Sequence, residues 1–465
     1  MHPHLPHKKV DSHPLKKKVI RKEEEFLQEQ KQDPQSPYCT PVKPHSRSRR
    51  GFIASTAALV GGGLATGAAA WAEVPAGALK RDVPEDPTKV QGVGVGMDDG
   101  GYGTRSQFET EIRERFETST AESSWSFTPL HKSHGIITPS GLHFERHHGG
   151  IATIDPNEHE LYVHGMVKQP KKFNMNDIRR FPFVSRIMFI ECSGNGLTEW
   201  IEPTMKTVQG THGLTSTSEW TGIRLSTLLN EVGIRPEAKW ILAEGGDSAV
   251  MTRSIPIEKA MKDCILAYGQ NGEAIRPEQG YPLRLIVPGY EGNMSIKWLR
   301  RLQLADEPFM SREETSKYTD LMPDGKALQF TFLMGPKSVI TFPSGEMLLD
   351  GPGFYNITGL AWSGNGKVER VEVSTDGGKN WHAAHLHGPV LPIAHTRFSI
   401  PWQWDGKRTV LQSRCIDEHG NVQPTIQHLI QERGTNGPQA SVYHNNGIQS
   451  WLVDSTGEVS NVHHF

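Results

Sequence analysis

Residues 185–200 of the chain read S-R-I-M-F-I-E-C-S-G-N-G-L-T-E-W. The apolar segment 187–190 predicts a buried strand, and this strand leads to one cysteine, Cys192, on a turn that holds two glycines. Glycines at a turn leave the backbone open to close approach by a ligand. A lone thiol there is a nucleophile, one soft ligand to a metal held mainly by another group, or a core residue. This stretch alone leaves the three alternatives open.

The chain has 465 residues, 36% of them hydrophobic, and this length predicts two domains with additional segments. Its cysteines are widely scattered, at Cys39, Cys192, Cys264 and Cys415. The sequence holds no C-x-x-C pair, no zinc-ligand spacing and no C-x-x-C-H haem motif. We therefore expect no haem in this chain, so electrons from any redox chemistry would leave through a partner. Cys264 and Cys415 are predicted to be core thiols.

The first 72 residues predict an export signal. Residues 1–50 carry 12 basic and 6 acidic side chains, and Arg49-Arg50 precedes a small-residue apolar run at 54–70. Ala70-Trp71-Ala72 fits an A-x-A cleavage site. Paired arginines before such a run indicate twin-arginine export to the periplasm, with an unusually long basic region in front. The alternative is a membrane anchor, but a run rich in Gly and Ala is a poor spanning helix, so we expect no membrane span after cleavage.

Removal of this segment would change the charge of the protein. The whole chain has a net charge of −2, and residues 1–72 contribute +6, which leaves −8 for the remainder. Nucleic-acid-binding proteins neutralise phosphates with an excess of Lys and Arg. Nucleic acid is therefore not expected as a partner.

The next two segments differ in pattern. Residues 73–124 are Gly-rich and charged, and we interpret them as an arm that wraps a domain or a partner. Residues 125–315 mix short apolar runs with helical periods, which predicts an α+β domain. Asn176-Asp177 is predicted to cap a short helix, and Gly233 to end another. The predicted strands are 161–167, 186–190, 240–244 and 283–287, and the predicted helices include 225–232 and 257–267.

The C-terminal part has a β pattern. Short apolar or alternating runs separated by Gly/Asn/Asp turns predict an all-β sandwich of immunoglobulin type over residues 316–435. Residues 436–465 are predicted to be a polar tail, with Trp451 and Phe465 docking on a neighbour. The predicted strands are 338–349, 355–362, 367–374, 381–386, 396–402 and 409–417.

Four polar clusters border the predicted strands of the first domain. They read F-E-R-H-H-G at 144–149, C-S-G-N at 192–195, E-G-G-D at 244–247, and Q-G-Y-P-L-R at 279–284 paired with N-M-S-I-K-W at 293–298. Basic side chains beside glycine-exposed backbone N–H groups are what a phosphorylated cofactor needs. Each cluster taken singly is as consistent with a surface loop or an ion pair.

With these motifs the chain resembles the sulfite oxidase family of molybdopterin enzymes. The family pattern is F-x-R-N-H, C-x-G-N, an E-G-x-D-like loop, H-G-[FY]-P-[VL]-R and S-[VI]-K-W-L, and the order and spacing match over about residues 125–424. The resemblance implies an α+β molybdopterin-binding domain of sulfite oxidase type, followed by an immunoglobulin-like sandwich that makes a homodimer. It also implies a molybdenum–molybdopterin cofactor.

The resemblance also implies roles for individual residues. Cys192 would be the thiolate ligand of molybdenum, and Arg146 would bind a sulfur oxyanion. Tyr318 would lie near the metal, although a linker tyrosine packed between domains is an alternative. The chain departs from the family at His147, where the family has Asn, and at Gln279, where it has His. The residues implied to hold the pterin and its phosphate are Glu145, Arg146, His147, His148, Asp247, Gln279, Arg284, Ser295, Ile296 and Lys297.

One branch of the family is more similar than the others. Sulfite oxidases carry C-A-G-N-R-R, whereas this chain has Gly196-Leu197 in place of the arginines. Together with T-H-G-L-T-S-T-S-E-W at 211–220, this resembles the sulfane dehydrogenase subunit of the bacterial Sox sulfur-oxidation system. That branch implies sulfane sulfur on a carrier protein as substrate and a c-type cytochrome subunit as electron acceptor. The missing arginines would make the pocket less cationic, and His212 either lines the pocket or is a turn residue.

Two other functions remain open from the sequence. One is a sulfite dehydrogenase that acts on free sulfite. The other is a non-catalytic assembly subunit that keeps the fold, against which the retained Cys192, Arg146 and Lys297 count.

Overall fold

The computed structural model describes residues 105–106, 108–116, 118, 120, 122–434 and 444–463. The predicted export signal and most of the predicted arm lie outside these residues. The end of the arm forms strand β1, which pairs antiparallel with β2, and β2 pairs with β3. Trp125 of β2 lies opposite Arg146 of β3. This small sheet comprises β1 (Glu114–Phe116), β2 (Ser124–Phe127) and β3 (Glu145–His147).

The α+β region is built on two five-stranded sheets. The first has the order β11-β10-β7-β6 with β12 paired to β10, and the second has the order β5-β4-β13-β8-β9. Only the β4–β13 pair within them is parallel among the described strands. The strands are β4 (Glu160–Gly165), β5 (Lys171–Asn174), β6 (Phe183–Glu191), β7 (Thr215–Arg224), β8 (Trp240–Gly245), β9 (Thr252–Pro256), β10 (Ile265–Gln270), β11 (Glu273–Ala274), β12 (Arg284–Ile286) and β13 (Leu299–Ala305).

Short helices connect the strands in both regions of the chain. In the part of the chain that the structure describes, none is long and apolar enough to cross a bilayer. The N-cap of α1 is Asn174, not the predicted pair Asn176-Asp177. The Asn174 side chain accepts a hydrogen bond from the Asp177 N–H, and the Asp177 carboxylate accepts one from the Asn174 N–H. The helices are α1 (Met175–Arg179), α2 (Val208–His212), α3 (Leu225–Val232), α4 (Ile257–Lys262) and α5 (Ile426–Arg433).

The helix predicted over 225–232 is confirmed, and Gly233 ends it in a positive-φ conformation. The helix predicted over 257–267 is wrong in its second half. It ends at Lys262, and Ile265 onward forms β10, paired on one side with β7 and on the other with β12. A buried apolar run that gains two strand partners is a strand regardless of its local helical period.

The C-terminal region is a sandwich of two antiparallel sheets, as predicted. Their orders are β16-β17-β21-β20 and β19-β18-β22-β23-β24. A hairpin of β14 (Asp320–Leu321) and β15 (Ala327–Leu328) precedes it. The sandwich strands are β16 (Lys337–Phe342), β17 (Gly353–Trp362), β18 (Val368–Ser374), β19 (His382–Ala383), β20 (His385–His387), β21 (Thr396–Trp404), β22 (Thr409–Asp417), β23 (Ser450–Val453) and β24 (Val459–Val462).

The segment predicted as a tail belongs to this sandwich. β23 pairs with β22, and β24 pairs with β23. Trp451, expected to dock on a neighbour, is fully buried in the sandwich core, and its indole donates to the Ile340 carbonyl. Phe465 lies outside the described residues. Cys264 and Cys415 are buried in the two cores as predicted, and burial raises the pKa of both thiols.

Candidate active site

A cleft of about 670 Å³ lies where the Cys192 turn, β3 and the loops around β8 and β12 meet. It brings together eleven of the twelve predicted site residues, and Glu145 is the exception. Five further residues line it that were not predicted as site residues. The lining comprises Phe144, Arg146, His147, His148, Cys192, Asp247, Met251, Gln279, Arg284, Gly292, Asn293, Ser295, Ile296, Lys297, Trp298 and Tyr318.

The Cys192 turn follows directly from β6. The Cys192 N–H donates to the Leu214 carbonyl (2.9 Å), and the Asn195 N–H donates back to the Cys192 carbonyl (2.9 Å), which closes the turn. The Gly194 N–H donates to the thiol sulfur (3.4 Å). Burial raises the pKa of the Cys192 thiol, while the charge of Arg146 acts in the opposite direction. The half-buried sulfur therefore faces the cleft beside a cation that favours the thiolate.

Arg146, His148 and Tyr318 form a line along one wall. Arg146 Nη2 donates to His148 Nδ1 (3.0 Å), and His148 Nε2 lies 3.4 Å from the Tyr318 hydroxyl. Enclosure in the cleft, followed by repulsion from Arg146, lowers the pKa of His148 to about 4 although the ring is partly solvent-exposed. Because arginine only donates, the neutral imidazole carries its proton on Nε2 and donates it to Tyr318.

Tyr318 is held from behind by a buried charge network. It follows the π-helical turn Glu313–Lys317, and the guanidinium of Arg253 lies 4.9 Å from its ring centre. Arg253 Nε donates to Glu314 (2.9 Å), and the guanidinium also donates to Asn293 of the cleft wall. This arrangement fixes the ring as part of the site, so the linker interpretation of Tyr318 does not describe its surroundings.

Arg284 is a buried cation on the floor of the cleft. Its guanidinium donates to the carbonyl and side-chain oxygens of Gln279 (3.1 and 3.0 Å) and to the Ser295 carbonyl (3.3 Å). Burial lowers its pKa to about 9. Gln279, the departure from the family histidine, is anchored by donating to the Phe144 carbonyl (2.8 Å). A buried arginine whose hydrogen-bond partners are all neutral would be stabilised by a bound anion.

Lys297 is a second cation of this kind. Its Nζ donates to the carbonyls of Arg146 (3.2 Å) and Glu278 (3.0 Å) and lies 4.6 Å from the Trp298 ring centre. Burial, followed by repulsion from Arg284, lowers its pKa to about 7. Within the described residues, neither cation forms an ion pair with a carboxylate. The cleft is therefore built to receive a negatively charged group.

Glu145 is not among the residues that line the cleft, so its role in cofactor binding stays a prediction. Its carboxylate pairs with Arg113 (3.0 Å). His147 does line the cleft, with Nδ1 3.3 Å from Glu145 but without hydrogen-bond geometry. Burial, followed by repulsion from Lys297, lowers the pKa of His147 to about 3. The histidine in place of the family asparagine is thus neutral.

Glycines bring backbone close to the site at two points. A Cβ on Gly292 would lie 2.6 Å from the Glu191 carbonyl, and one on Gly280, where φ is +108°, would lie 2.9 Å from the Lys297 backbone. Asp247 accepts from the Met251 N–H (3.3 Å) and turns the loop after β8 into the cleft. Asn293 and Trp298 could have been named from the motifs that contain them, whereas Met251 carries no polar signal.

Three residues expected to shape the pocket lie elsewhere. His212 and Gly196 line a separate cavity of about 410 Å³, together with Glu199 and Asn445. His212 Nδ1 lies 2.8 Å from the Thr211 hydroxyl, and burial keeps its pKa well below the usual range. Leu197 is not among the cleft residues. The cleft is positively charged through Arg146, Arg284 and Lys297, although the two arginines of the sulfite oxidase motif are absent.

The donor set fits a molybdopterin cofactor. Cys192 offers one soft sulfur ligand, which suits a metal whose other ligands come with the cofactor. Arg284 and Lys297, buried without a carboxylate, match the phosphate of a pterin. A side chain at Gly280 or Gly292 would collide with the Lys297 backbone or the Glu191 carbonyl, so glycine allows these segments to pack closely at the cleft. The cations and the thiol thus converge in one cleft.

Sulfate binding by the cofactor-free protein is expected to weaken as the pH rises from about 6.5 to about 8.5. Lys297, with a pKa of about 7, loses its proton in this range, whereas His147 and His148 are already neutral and sulfate keeps its charge. The decline starts near pH 7, the pKa of Lys297 in the free protein, and reaches up to about tenfold in Kd per pH unit; it levels off only above the higher pKa that Lys297 has when sulfate is bound. Calorimetric titration at several pH values measures it.

Matched lysine variants identify the group that titrates. Lys297→Met should weaken sulfate binding and remove the pH dependence. Lys326→Met removes a lysine that is 82% exposed and should leave both unchanged. A wild-type affinity that stays constant across this range would show that the anion does not contact Lys297.

Each of the two regions matches a known protein family. Residues 148–313 match the family described as the oxidoreductase molybdopterin binding domain, and residues 330–450 match the Mo-co oxidoreductase dimerisation domain. The crystal structure of the sulfane dehydrogenase SoxCD from Paracoccus pantotrophus is similar at a TM-score of 0.76 and 47% identity, covering 82% of this chain and 99% of that one.

Curated relatives match over shorter shares of their length. Mitochondrial sulfite oxidase of Drosophila melanogaster is 31% identical over 344 residues, which are 66% of this chain and 58% of the relative. Nitrate reductase [NADH] 2 of Phaseolus vulgaris is 32% identical over 333 residues, which are 63% of this chain and 37% of the relative. The chain thus spans less than two thirds of either curated relative.

Proposed function

The chain belongs to the sulfite oxidase family of molybdopterin oxidoreductases, and we propose that it is the molybdenum subunit of a periplasmic sulfane dehydrogenase of the SoxC type. It would oxidise sulfane sulfur on a carrier protein and pass the electrons to a c-type cytochrome subunit. The observation that carries the proposal is the convergence of Cys192 with Arg146, Arg284 and Lys297 in one cleft. The 47% identity to a sulfane dehydrogenase supports the choice within the family.

Each cleft residue has a proposed role. Cys192 is the protein ligand of molybdenum. Arg284 and Lys297 bind the pterin phosphate, supported by His147, His148, Asp247, Gln279, Ser295 and Ile296 along the walls. When bound, the cofactor supplies two-electron redox chemistry and oxygen-atom transfer at sulfur. The protein supplies the ligand, the countercharges and an enclosed site in which they act.

Arg146 and Tyr318 are the proposed catalytic residues. The guanidinium of Arg146 is fixed by donating to the His147 carbonyl (2.6 Å) and to His148. It would hold the anionic end of the sulfur substrate. Because His148 donates to the Tyr318 oxygen, the tyrosine keeps its own proton for the substrate side. Tyr318 would therefore donate a hydrogen bond, or exchange a proton, beside the metal.

Partners and location follow from the same proposal. The absence of a C-x-x-C-H motif in the sequence agrees with a haem on a separate cytochrome subunit. Homodimerisation through the sandwich is supported by the match to a dimerisation domain and by the exposed apolar side chains of Phe342, Leu348 and Phe354. Export by the twin-arginine route rests on residues 1–72, outside the described part of the chain.

The proposal is tested by metal analysis followed by turnover with cytochrome c. We expect about one molybdenum per chain, with turnover on a thiosulfonate-loaded carrier and little on free sulfite. Fast turnover on free sulfite would make the chain a sulfite dehydrogenase, an alternative that three cleft cations also favour. Folded dimeric protein without molybdenum would mean that the chain is a non-catalytic assembly subunit.

A further inference from the structure

Glu191, the residue before the proposed metal ligand, is a fully buried carboxylate. It ends β6, and its side chain is inaccessible to solvent. Asn195 Nδ2 donates to Oε1 (2.9 Å) from within the same turn. A carboxylate at this depth is stable in its charged form only when paired and hydrogen-bonded.

The other two donors to Glu191 come from the sandwich. Lys337 Nζ donates to Oε1 (2.5 Å), and the indole N–H of Trp362 donates to Oε2 (2.7 Å). Both donors are fully buried. Lys337 begins β16, Trp362 ends β17, and the two are directly opposite each other in the antiparallel register. Opposite residues of a sheet face the same side, so the pair forms one fixed receptor for the carboxylate.

This receptor acts on a part of the chain that has little freedom. Glu191 is joined to Cys192 by one peptide bond, and the Asn195 side chain that contacts Glu191 also accepts from the Leu214 N–H (3.1 Å). The adjoining Ser193 is held on both sides, since its hydroxyl accepts from Asn293 Nδ2 (2.9 Å) and its carbonyl accepts from the His444 N–H (2.6 Å). Displacement of the Glu191 carboxylate would therefore move the sulfur.

We propose that Lys337 and Trp362 are positioning residues that set the location of the Cys192 sulfur through Glu191, so that the C-terminal sandwich controls the geometry of the metal ligand. The inference rests on the proposed role of Cys192. None of the three residues lines the cleft, so each acts on the ligand and not on the substrate. Groups that orient a metal ligand from behind typically change metal affinity or activity by about 10- to 100-fold.

The first test compares two buried tryptophans of the full-length holoenzyme. Trp362→Phe removes the indole N–H from Glu191 while keeping a large aromatic ring. Trp451→Phe is the matched control, since this indole is equally buried in the same sandwich but donates to the Ile340 carbonyl (3.1 Å). We expect W362F to lower kcat by about tenfold with KM nearly unchanged, and to shift the visible absorption of the thiolate–molybdenum bond. W451F should leave both at wild-type values.

The second test separates positioning from stability. Lys337→Met leaves the Glu191 charge unpaired in the core, and it should lower the melting temperature, molybdenum content and kcat together. Adding Glu191→Gln removes the stranded charge and should restore much of the melting temperature. The double variant still lacks the charged receptor, so its kcat should stay about 10- to 100-fold low, with altered absorption. The double variant keeps the test valid if K337M alone does not fold.

The outcomes are distinguishable from failure of the proposed function. If wild-type protein holds molybdenum and W362F matches W451F in kcat and absorption, the positioning role is wrong and the metal-ligand assignment stands. If kcat recovers together with the melting temperature in the double variant, Lys337 contributes to stability only and does not position the Cys192 sulfur. Wild-type protein without molybdenum would overturn the ligand assignment, and this inference with it.

Discussion

Replacement of Cys192 by serine is expected to abolish turnover while the pterin stays bound. A serine hydroxyl is a hard oxygen donor, so it does not reproduce the soft thiolate ligand on molybdenum. The cations that would hold the pterin phosphate, Arg284 and Lys297, lie on other segments of the chain, and their hydrogen bonds do not involve Cys192. The loss should exceed the ~100-fold seen for groups that only orient a ligand. Turnover, molybdenum per chain and pterin fluorescence after denaturation measure the activity, the metal content and the pterin content of the variant.

Cys264 provides the control for this substitution. Its thiol is buried in the α+β core and donates to the Lys259 carbonyl (3.4 Å), away from the cleft. Cys264→Ser should lower stability, because a hydroxyl is less favourable than a thiol in an apolar core, but it should keep turnover per molybdenum. Activity retained in C192S would remove Cys192 from the metal. Loss of pterin together with activity would show that the thiol also holds the cofactor in place.

Replacement of Arg146 by methionine is expected to lower kcat/KM by about 30- to 5,000-fold. This range corresponds to the about 2–5 kcal/mol typical of a charge-assisted contact in an enclosed site. Methionine keeps much of the apolar stem over Trp125, where the guanidinium lies 5.3 Å from the ring centre, so packing is largely retained. Steady-state kinetics at several substrate concentrations, with molybdenum content determined for each preparation, separate substrate binding from cofactor loss.

Two further arginine variants sharpen the result. Arg146→Lys keeps the charge but loses the planar fork that reaches both His148 and the His147 carbonyl, so its kcat/KM should be intermediate. Arg180→Met removes an arginine that is 81% exposed and should match wild type. An unchanged substrate dependence in R146M would exclude Arg146 from substrate binding.

Most of the cleft residues could be predicted because they lie in short sequence motifs. Arg146, Cys192, Arg284 and Lys297 each lie in a short cluster of polar residues and glycines, and the structure brings these clusters to one place. The sandwich was predictable for a similar reason, since alternating runs between Gly/Asn/Asp turns indicate short antiparallel strands. Such patterns extend over only a few consecutive residues, so they can be recognised in the sequence without knowledge of distant contacts.

What the sequence did not predict depends on contacts between distant segments. Glu145 was assigned to the cofactor pocket, but its carboxylate pairs with Arg113, the residue before β1, and it is not among the residues that line the cleft. The role of Lys337 was invisible because its partner, Glu191, lies in another domain of the chain. The error at residues 265–267 has the same origin, since two neighbouring strands decide that β10 is extended.

The late strands of the sandwich have a consequence for how the protein is made. The ribosome releases the Cys192 turn long before β23, β24 and the His444 N–H that bonds to Ser193 have been translated. The Cys192 turn therefore has its complete set of neighbours only after synthesis reaches the last described residues. Final packing of this turn is therefore coupled to completion of the polypeptide.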